Sequence, residues 1–96
     1  MGYDLPEWAE SKLRGITAAE VFEVLGARRR WARPSLGGPI RVTLVAGRTA
    51  AGRPLMVAVR EIERFTSLII AARELTDADL AAFEIWEAET DEPFEG

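Results

Sequence analysis

Hydrophobic and polar residues follow two periods along this chain, with helical spacing near both ends and strand-like alternation between them. In the first segment, Asp4 and Glu7 have the spacing of a helix start, and Pro6 lies between them in the first turn. Gly15 marks the end of this segment. The pattern therefore predicts a short first helix between Asp4 and Gly15.

The residues after Gly15 predict a second helix. Thr17 and Glu20 have the spacing of a capping box, in which each side chain accepts a hydrogen bond from the backbone of the other residue. Ile16 is placed to pack on Val21, just inside the helix, and a glycine at position 26 ends it. The apolar face of this helix consists of Ala18, Val21, Phe22 and Leu25.

From Arg28 onward, apolar and polar residues alternate with a period of two, and turn-forming residues separate the runs. In the third run, Leu55, Val57 and Val59 fall on one face of a strand. The last run is apolar on both faces and is expected to be central in the sheet. Four strands are predicted: Arg28–Trp31, Ile40–Gly47, Pro54–Ile62 and Phe65–Ala72.

The last helix is predicted to begin at Thr76, because acidic residues, including Asp79, occupy its first turn, and to run to about Glu89. The acidic tail from Glu87 to Gly96 is expected to be frayed. Two helices followed by a group of strands and a last helix is an order typical of an α+β domain. We therefore expect one domain over residues 1–96, with two N-terminal helices, a four-stranded antiparallel sheet and a C-terminal helix.

Composition narrows the chemistry that is open to the chain. The 96 residues are 48% hydrophobic and include no cysteine and no histidine. Disulfides, cysteine metal sites and imidazole catalysis are thus excluded, and neither a metal nor a cofactor is expected. No apolar run approaches the about 20 residues that span a bilayer, and no secretory leader is recognisable. We expect a cytoplasmic protein without a membrane partner.

Charge is strongly segregated along the sequence. Ten of the 12 basic residues lie between Arg28 and Arg73, where the only acids are Glu61 and Glu63, so this segment has a net charge of +8. Residues 74–96 hold nine acids and no base, and the whole chain has a net charge of −4. Affinity for a polyanion depends on where positive charge is concentrated. The middle of the chain is therefore a candidate surface for binding an anion.

Four arginines surround Trp31 in the most basic stretch of the chain. Arginine makes bidentate contacts with phosphate, and an exposed indole stacks on bases, so this stretch predicts an RNA-binding edge. Alternatively, Trp31 belongs to the core, while the arginines protect an edge strand from aggregation or pair with the acidic last helix. The candidate RNA-binding residues here are Arg28, Arg29, Arg30, Trp31 and Arg33.

Five further arginines lie on or beside successive predicted strands, so the sheet would gather them on one surface. Like charges repel, and such a cluster therefore implies an anionic ligand, with phosphodiester as the first candidate, unless carboxylates neutralise it. Asp79 either caps the helix at Thr76 or pairs with Arg73 as the acidic member of a charged site. The five arginines are Arg41, Arg48, Arg53, Arg60 and Arg73.

Four short motifs follow one another between residue 8 and about residue 86. They are Trp8-x-x-x-Lys12, Arg14-Gly-Ile-Thr17-x-x-Glu-Val, Gly47-Arg-Thr-x-x-Gly52-Arg and Ile69-Ile-Ala-Ala-Arg73-x-x-Thr76-x-x-Asp79. In order and spacing they resemble the BrnT-type toxins of bacterial type II toxin–antitoxin systems. That resemblance implies a RelE-like fold, metal-independent ribonuclease activity and neutralisation by a small antitoxin, often encoded beside the toxin.

The resemblance also implies a catalytic site, which contains Arg48, Arg73 and Asp79. In the implied reaction the 2′-OH of RNA attacks the adjacent phosphorus, the two arginines stabilise the developing charge, and Asp79 is the candidate to take the proton. The further RNA-binding candidates include Arg41, Arg53 and Arg60. Where many family members have His, Arg and Tyr, this chain has Arg14, Leu80 and Phe83.

Two alternatives to an endoribonuclease remain open. Compared with many family members, this chain lacks an imidazole, a guanidinium and a phenol at three positions. Their absence favours a degenerate binding module that still binds an antitoxin, another protein or RNA but does not cleave RNA. The basic middle could instead dock an acidic partner helix, since salt-sensitive binding does not distinguish RNA from an acidic protein. The expected partners are a small cognate antitoxin and RNA, with mRNA on or off the ribosome. The oligomeric state, alone or with the antitoxin, stays open.

Overall fold

The computed structural model describes residues 2–35, 41–63 and 65–89, which form one five-stranded sheet and three helices. The helices are α1 (Glu7–Glu10), α2 (Ala18–Leu25) and α3 (Asp77–Glu89). The strands are β1 (Gly2–Asp4), β2 (Arg30–Pro34), β3 (Thr43–Arg48), β4 (Pro54–Glu63) and β5 (Thr66–Glu74). The predicted α+β class is confirmed. Within these ranges, no helix has the length and apolar character needed to cross a membrane.

The strand order in the sheet is β1-β5-β4-β3-β2. The four predicted strands are present as an antiparallel meander, with ends shifted by a few residues. The prediction of a four-stranded antiparallel sheet is nevertheless wrong, because β1 adds a fifth strand that pairs parallel with β5. β4 is the central strand, and β5 is interior because β1 covers its outer edge. Ile40, where the second strand was predicted to begin, and the tail from residue 90 lie outside the described residues.

The first helix is shorter than predicted. Asp4 is the last residue of β1, where its backbone is paired with β5, and it therefore does not start a helix. The helix begins at Glu7, after Pro6 in an extended conformation, and it ends at Glu10. A second helix in the N-terminal part is present as predicted.

The start of α2 has the predicted capping box. The Thr17 Oγ1 accepts a hydrogen bond from the backbone N–H of Glu20 at 3.1 Å, and Glu20 Oε1 accepts one from the backbone N–H of Thr17 at 2.9 Å. Ile16 and Val21 are buried in the same cluster, as expected for residues that flank a helix start. Gly26 is the C-cap residue, which confirms the predicted helix end.

Alternation along the strands gives the sheet an apolar core on each side. On one side, called the α2 face, Val21 and Val24 of α2 pack with Leu55 and Val57 of β4. On the other side, called the α3 face, Phe83 of α3 packs with side chains from β3 and β4 and is 1% exposed. The residues grouped on the α3 face are Trp31, Leu44, Ala46, Met56, Leu75, Leu80, Phe83 and Trp86.

Candidate anion-binding surface

Arg48 lies at the end of β3 on the α3 face and is bound by Glu87 of α3. Its Nε donates to Glu87 Oε2 and its Nη2 donates to Glu87 Oε1, both at 2.8 Å, while its Nη1 donates to the carbonyl oxygen of Gly52 at 3.0 Å. These hydrogen bonds lower the pKa of Glu87 and raise the pKa of Arg48. All three guanidinium nitrogens of Arg48 therefore donate within the protein.

The partner of Arg48 was missed by the sequence interpretation. Glu87 was expected at the start of a frayed tail, but it lies inside α3 and its side chain is 20% exposed. A signal was present, because Glu87 follows the buried Phe83 by four residues, and residues four apart share one face of a helix. The ion pair with Arg48 fixes the C-terminal half of α3 to the sheet.

Arg73 and Asp79 form the second ion pair on the α3 face. Arg73 Nη2 donates to Asp79 Oδ2 at 2.8 Å, so of the two roles left open for Asp79 the pairing with Arg73 is the one observed. Their side chains are 56% and 43% exposed. In the sheet, Arg73 is opposite Met56 on β4, whereas Arg48 is opposite Pro54. Strand spacing and rise then separate the two arginine Cα atoms by about 12 Å, so Arg48 lies apart from the other two predicted catalytic residues.

Arg53 is held by groups from three other parts of the chain. Its Nε donates to Glu74 Oε2 at 3.0 Å, and its Nη1 donates to Glu20 Oε1 at 3.1 Å and to the carbonyl oxygen of Gly15 at 2.7 Å. Hydrogen bonds with Glu74, followed by those with Glu20, raise the pKa of Arg53. Two carboxylates thus offset the charge of this predicted RNA-binding residue, which joins the β3–β4 turn to α2 and β5.

Trp31 and Arg29 contact α3. The Trp31 ring stacks on Trp86 with centroids 5.7 Å apart and an interplanar angle of 7°, and Trp86 in turn stacks on Phe83 at 5.7 Å. Arg29 Nη2 donates to the backbone carbonyl oxygen of Glu87 at 2.6 Å. Of the two roles considered for Trp31, an RNA-binding residue or a core residue, the core role fits this arrangement. Because Trp86 already stacks on Trp31, this indole is not a free platform for RNA bases.

Arg33 lies against the same indole but has no carboxylate partner among the described residues. Its guanidinium carbon is 4.0 Å from the centroid of the Trp31 ring. Its Nε is buried and has no hydrogen-bond partner, and no acidic side chain of the described residues forms an ion pair with it. Stacking on an aromatic ring orients the guanidinium plane. Arg33 is therefore a positive charge at the edge of the α3 face that lies against Trp31 and that no described carboxylate pairs with.

Beside the residues that pack on α3, a row of side chains crosses the same face of the sheet, half-buried at Leu44 and Ala58 and exposed at Ala71. Arg33 is opposite Leu44, Leu44 is opposite Ala58, and Ala58 is opposite Ala71. Arg60 follows Ala58 by two residues on β4 and is exposed. We call this surface the open strip, and it consists of Arg33, Leu44, Ala58, Arg60 and Ala71. Strand spacing and rise separate the Cα atoms of Arg33 and Arg60 by about 12 Å, and Ala71 lies one strand beyond Arg60.

The remaining predicted RNA-binding arginines lie around the β2 edge of the sheet. Arg28 precedes β2, Arg41 precedes β3, and both are exposed. Arg30 alternates with Trp31 and so points to the α2 face, and its Nη1 donates to the carbonyl oxygen of Ala27 at 2.9 Å. These positions fit the protection of an edge strand, which was the alternative to RNA binding for this stretch.

The chemistry of the surface comes from its arginines. Within residues 2–35, 41–63 and 65–89, no group of three or more His, Cys, Asp or Glu side chains is placed to hold a metal ion. The sequence matches no protein-family model and no curated protein at a significant level. Arginines on a sheet can bind an anion or stabilise developing negative charge, and the carboxylates near them determine which arginines are available for either role.

Proposed function

We propose that this chain is a BrnT-like binding module that holds single-stranded RNA on the open strip and does not cleave it. One observation carries the proposal. On the α3 face, Arg48 has a carboxylate partner and so does Arg73, whereas the strip arginines Arg33 and Arg60 have none among the described residues. Binding to a polyanion is favoured by arginines that exchange water and counterions for phosphate, and charges that are already paired contribute less.

The geometry of Arg33 supports a phosphate ligand. The guanidinium group offers parallel N–H donors that match two oxygens of one phosphate. Stacking on Trp31 holds this group in place before the ligand arrives, so less side-chain entropy is lost on binding. The strip is low over β4 and β5, because Ala58 and Ala71 are small, and an extended chain can approach these two strands closely.

The arrangement of the implied catalytic residues supports binding rather than cleavage. Arg48 donates from all three guanidinium nitrogens to protein oxygens and lies about 12 Å from Arg73. Asp79 Oδ2, the oxygen that would take a proton, accepts a hydrogen bond from Arg73. Cleavage by 2′-OH attack needs a proton acceptor and charge stabilisation at one phosphate. Ligand binding needs only the arginines of the strip.

The proposal is tested by RNA affinity in matched charge variants. Arg33→Gln and Arg60→Gln each remove one strip charge, and Arg14→Gln removes one exposed charge from the α1–α2 connection as a control. Fluorescence anisotropy with a labelled oligouridylate should show each strip variant binding about fivefold more weakly at ~0.1 M salt, with the control close to wild type. Equal affinity of the strip variants, the control and wild type would refute the proposal.

A second candidate function is a metal-independent endoribonuclease. The half-exposed pair of Arg73 and Asp79 favours it, because Arg73 lies two residues from Ala71 of the open strip and solvent reaches both side chains. Total RNA or ribosomes incubated with the protein would then acquire ends with 2′,3′-cyclic phosphate and 5′-OH. Cleavage by wild type but not by Arg73→Ala would favour this function. Intact RNA, or equal cleavage by the two proteins, would exclude it.

A small antitoxin is the protein partner that the resemblance implies, and we propose it for this chain too. The exposed arginines around β2, Arg28 and Arg41, offer positive charge to an acidic partner segment. The product of an adjacent open reading frame, expressed together with the chain, should co-purify with it. Expression of the chain alone separates the two functions, because an endoribonuclease would arrest growth and an inert binding module would not.

A further inference from the structure

We infer that Asp79 and Glu87 are built-in competitors for RNA, because these carboxylates of α3 occupy arginines that phosphate would otherwise bind. The inference rests on the proposed function, since it concerns the affinity of the same face of the sheet for the same ligand. It adds a regulatory element to that function. The ion pairs with α3 would then limit the number of arginines that can bind the phosphates of the RNA.

The spacing of the two carboxylates matches the spacing of the two arginines. Asp79 and Glu87 are eight residues apart on α3, which corresponds to about 12 Å along the helix axis. Arg48 and Arg73 are two strands and two residues apart in the sheet, which also corresponds to about 12 Å. One straight helix can therefore neutralise both arginines at the same time.

The contact between Glu87 and Arg48 resembles the contact that an arginine makes with phosphate. Two parallel N–H donors of Arg48 meet the two oxygens of one carboxylate at 2.8 Å. The same donors would meet two oxygens of a phosphate in the same fork geometry. The carboxylate and the phosphate cannot hold these donors together, so the binding of one excludes the other.

The exchange requires only side-chain movement. The exposed fractions are 35% for Arg48 and 20% for Glu87, and the pair of Arg73 and Asp79 is more exposed still. Exposed ion pairs such as that of Arg73 and Asp79 contribute little to stability, so a polyanion can replace them. The pair of Arg48 and Glu87 is less exposed, and its exchange costs more. The helix itself stays docked, because Phe83 is 1% exposed and stacks on Trp86 independently of both carboxylates.

Release of Arg73 would extend the RNA surface. Arg73 lies on the same face as the open strip, two residues from Ala71, so a strand that follows the strip can reach it. Arg48 lies further along, under the C-terminal half of α3. Each arginine that exchanges its carboxylate for a phosphate adds one ionic contact to the complex.

The test compares variants that remove one negative charge from α3. Asp79→Asn and Glu87→Gln release one arginine each, while Asp77→Asn and Glu89→Gln remove exposed carboxylates of the same helix that have no arginine partner among the described residues. Position 77 has a φ of 49°, a backbone conformation that Asn adopts readily. The four proteins therefore have equal net charge and differ in whether an arginine is freed.

The measurement is the affinity for a labelled oligouridylate across a salt series, with circular dichroism to verify folding. Relative to their controls, Asp79→Asn and Glu87→Gln should bind about fivefold more tightly at ~0.1 M salt, and the slope of log K against log salt should steepen by about 0.7 for each freed arginine. Either variant suffices for the test. The exposed Asp79 makes Asp79→Asn the one that perturbs the fold least.

The outcomes separate this inference from the proposed function. If the two variants match their controls while wild-type binding still depends on Arg33 and Arg60, the inference is wrong and the function stands. If wild type does not bind but the released variants do, the inference is supported and RNA binding belongs to the released state. If no protein binds RNA at about 50 mM salt, where ionic contacts are strong, both are wrong.

Discussion

Glu87 of α3 holds Arg48 of β3 through two parallel hydrogen bonds of 2.8 Å, with a carboxylate oxygen on each of two guanidinium nitrogens. The resemblance to BrnT-type toxins only implies a catalytic role for Arg48. In the structure, all three guanidinium nitrogens of Arg48 donate to protein oxygens, and two of them donate to Glu87 of α3. On the α3 face, Arg33 and Arg60 form no ion pair with the described residues and are then the arginines left for a ligand. This division of the arginines is the basis of the functional proposal.

The pair of Arg48 and Glu87 should contribute measurably to folding. Replacement of Glu87 by Gln leaves a partly buried guanidinium without its charged acceptor, and we expect it to lower the free energy of unfolding by about 1–2 kcal/mol. Glu89→Gln, at an exposed position of the same helix, should change it by less than about 0.5 kcal/mol. Urea denaturation measures both values. Equal effects of the two substitutions would show that the pair is energetically neutral.

Phe83 should be the residue on which the docking of α3 most depends. It is 1% exposed and stacks on Trp86, so Phe83→Ala removes a buried ring and leaves a cavity that costs about 3–5 kcal/mol. Ile85 of the same helix is 60% exposed, and Ile85→Ala should change stability by less than about 0.5 kcal/mol. Thermal and urea unfolding of both variants would check this. A small effect of Phe83→Ala would contradict the packing described for the α3 face.

Gly47 should tolerate no side chain, because α2 packs directly on this position of β3. A Cβ at residue 47 would lie 3.2 Å from Val24 Cγ1 and 3.6 Å from the carbonyl oxygen of Val24. We expect Gly47→Ala to destabilise the fold by about 1–3 kcal/mol through overpacking. At Gly2 nothing lies within 4 Å of the added atom, so Gly2→Ala is the control. Similar melting temperatures for the two variants would contradict the close packing of α2 on Gly47.

Stability should decline in acid because two glutamates have pKa values below their ordinary range. Hydrogen bonds from Arg48 lower the pKa of Glu87. The backbone N–H of Thr17, and then Arg53, lowers the pKa of Glu20. A group whose pKa is lower in the folded state stabilises the fold above its unfolded value, about 4.3 for glutamate, and loses that contribution as pH falls towards the folded value.

The pH dependence can be assigned to these two residues by substitution. Urea denaturation between about pH 3 and pH 6 should show wild-type stability falling below about pH 4.3, and a Glu20→Gln/Glu87→Gln variant should fall less steeply. The double variant should be less stable than wild type near pH 6, and the two should converge in acid. Parallel curves for the two proteins would assign the acid sensitivity to other carboxylates.

Local signals in the sequence predicted much of this fold. The capping box of Thr17 and Glu20 depends on residues three apart, and the faces of β4 depend on strict alternation, so both were readable without a structure. The pair of Arg73 and Asp79 was one of the two roles that the sequence left open for Asp79, because six residues separate a strand end from the first turn of the next helix. In each case the interacting groups are close along the chain.

Long-range contacts account for what the sequence did not predict. β1 has three residues, too few for alternation to show, and it exists through pairing with β5 near the other end of the chain. The contact of Glu87 with Arg48 depends on how α3 is laid across the sheet, and the stack of Trp31 on Trp86 depends on the same docking. The docking of α3 depends on three-dimensional packing, and this docking determines which arginines of the sheet have a carboxylate partner.

The role of the open strip in RNA binding is best tested by RNA affinity across a salt series, with an Arg33→Gln/Arg60→Gln protein beside a Lys12→Gln/Arg14→Gln control of equal net charge. Lys12 and Arg14 are exposed and lie in the connection between α1 and α2, away from the open strip. We expect the strip variant to lose most of its affinity for oligouridylate and its salt slope to fall by about 1.4, while the control keeps the wild-type slope. Equal affinities and equal slopes for the two double variants would contradict it.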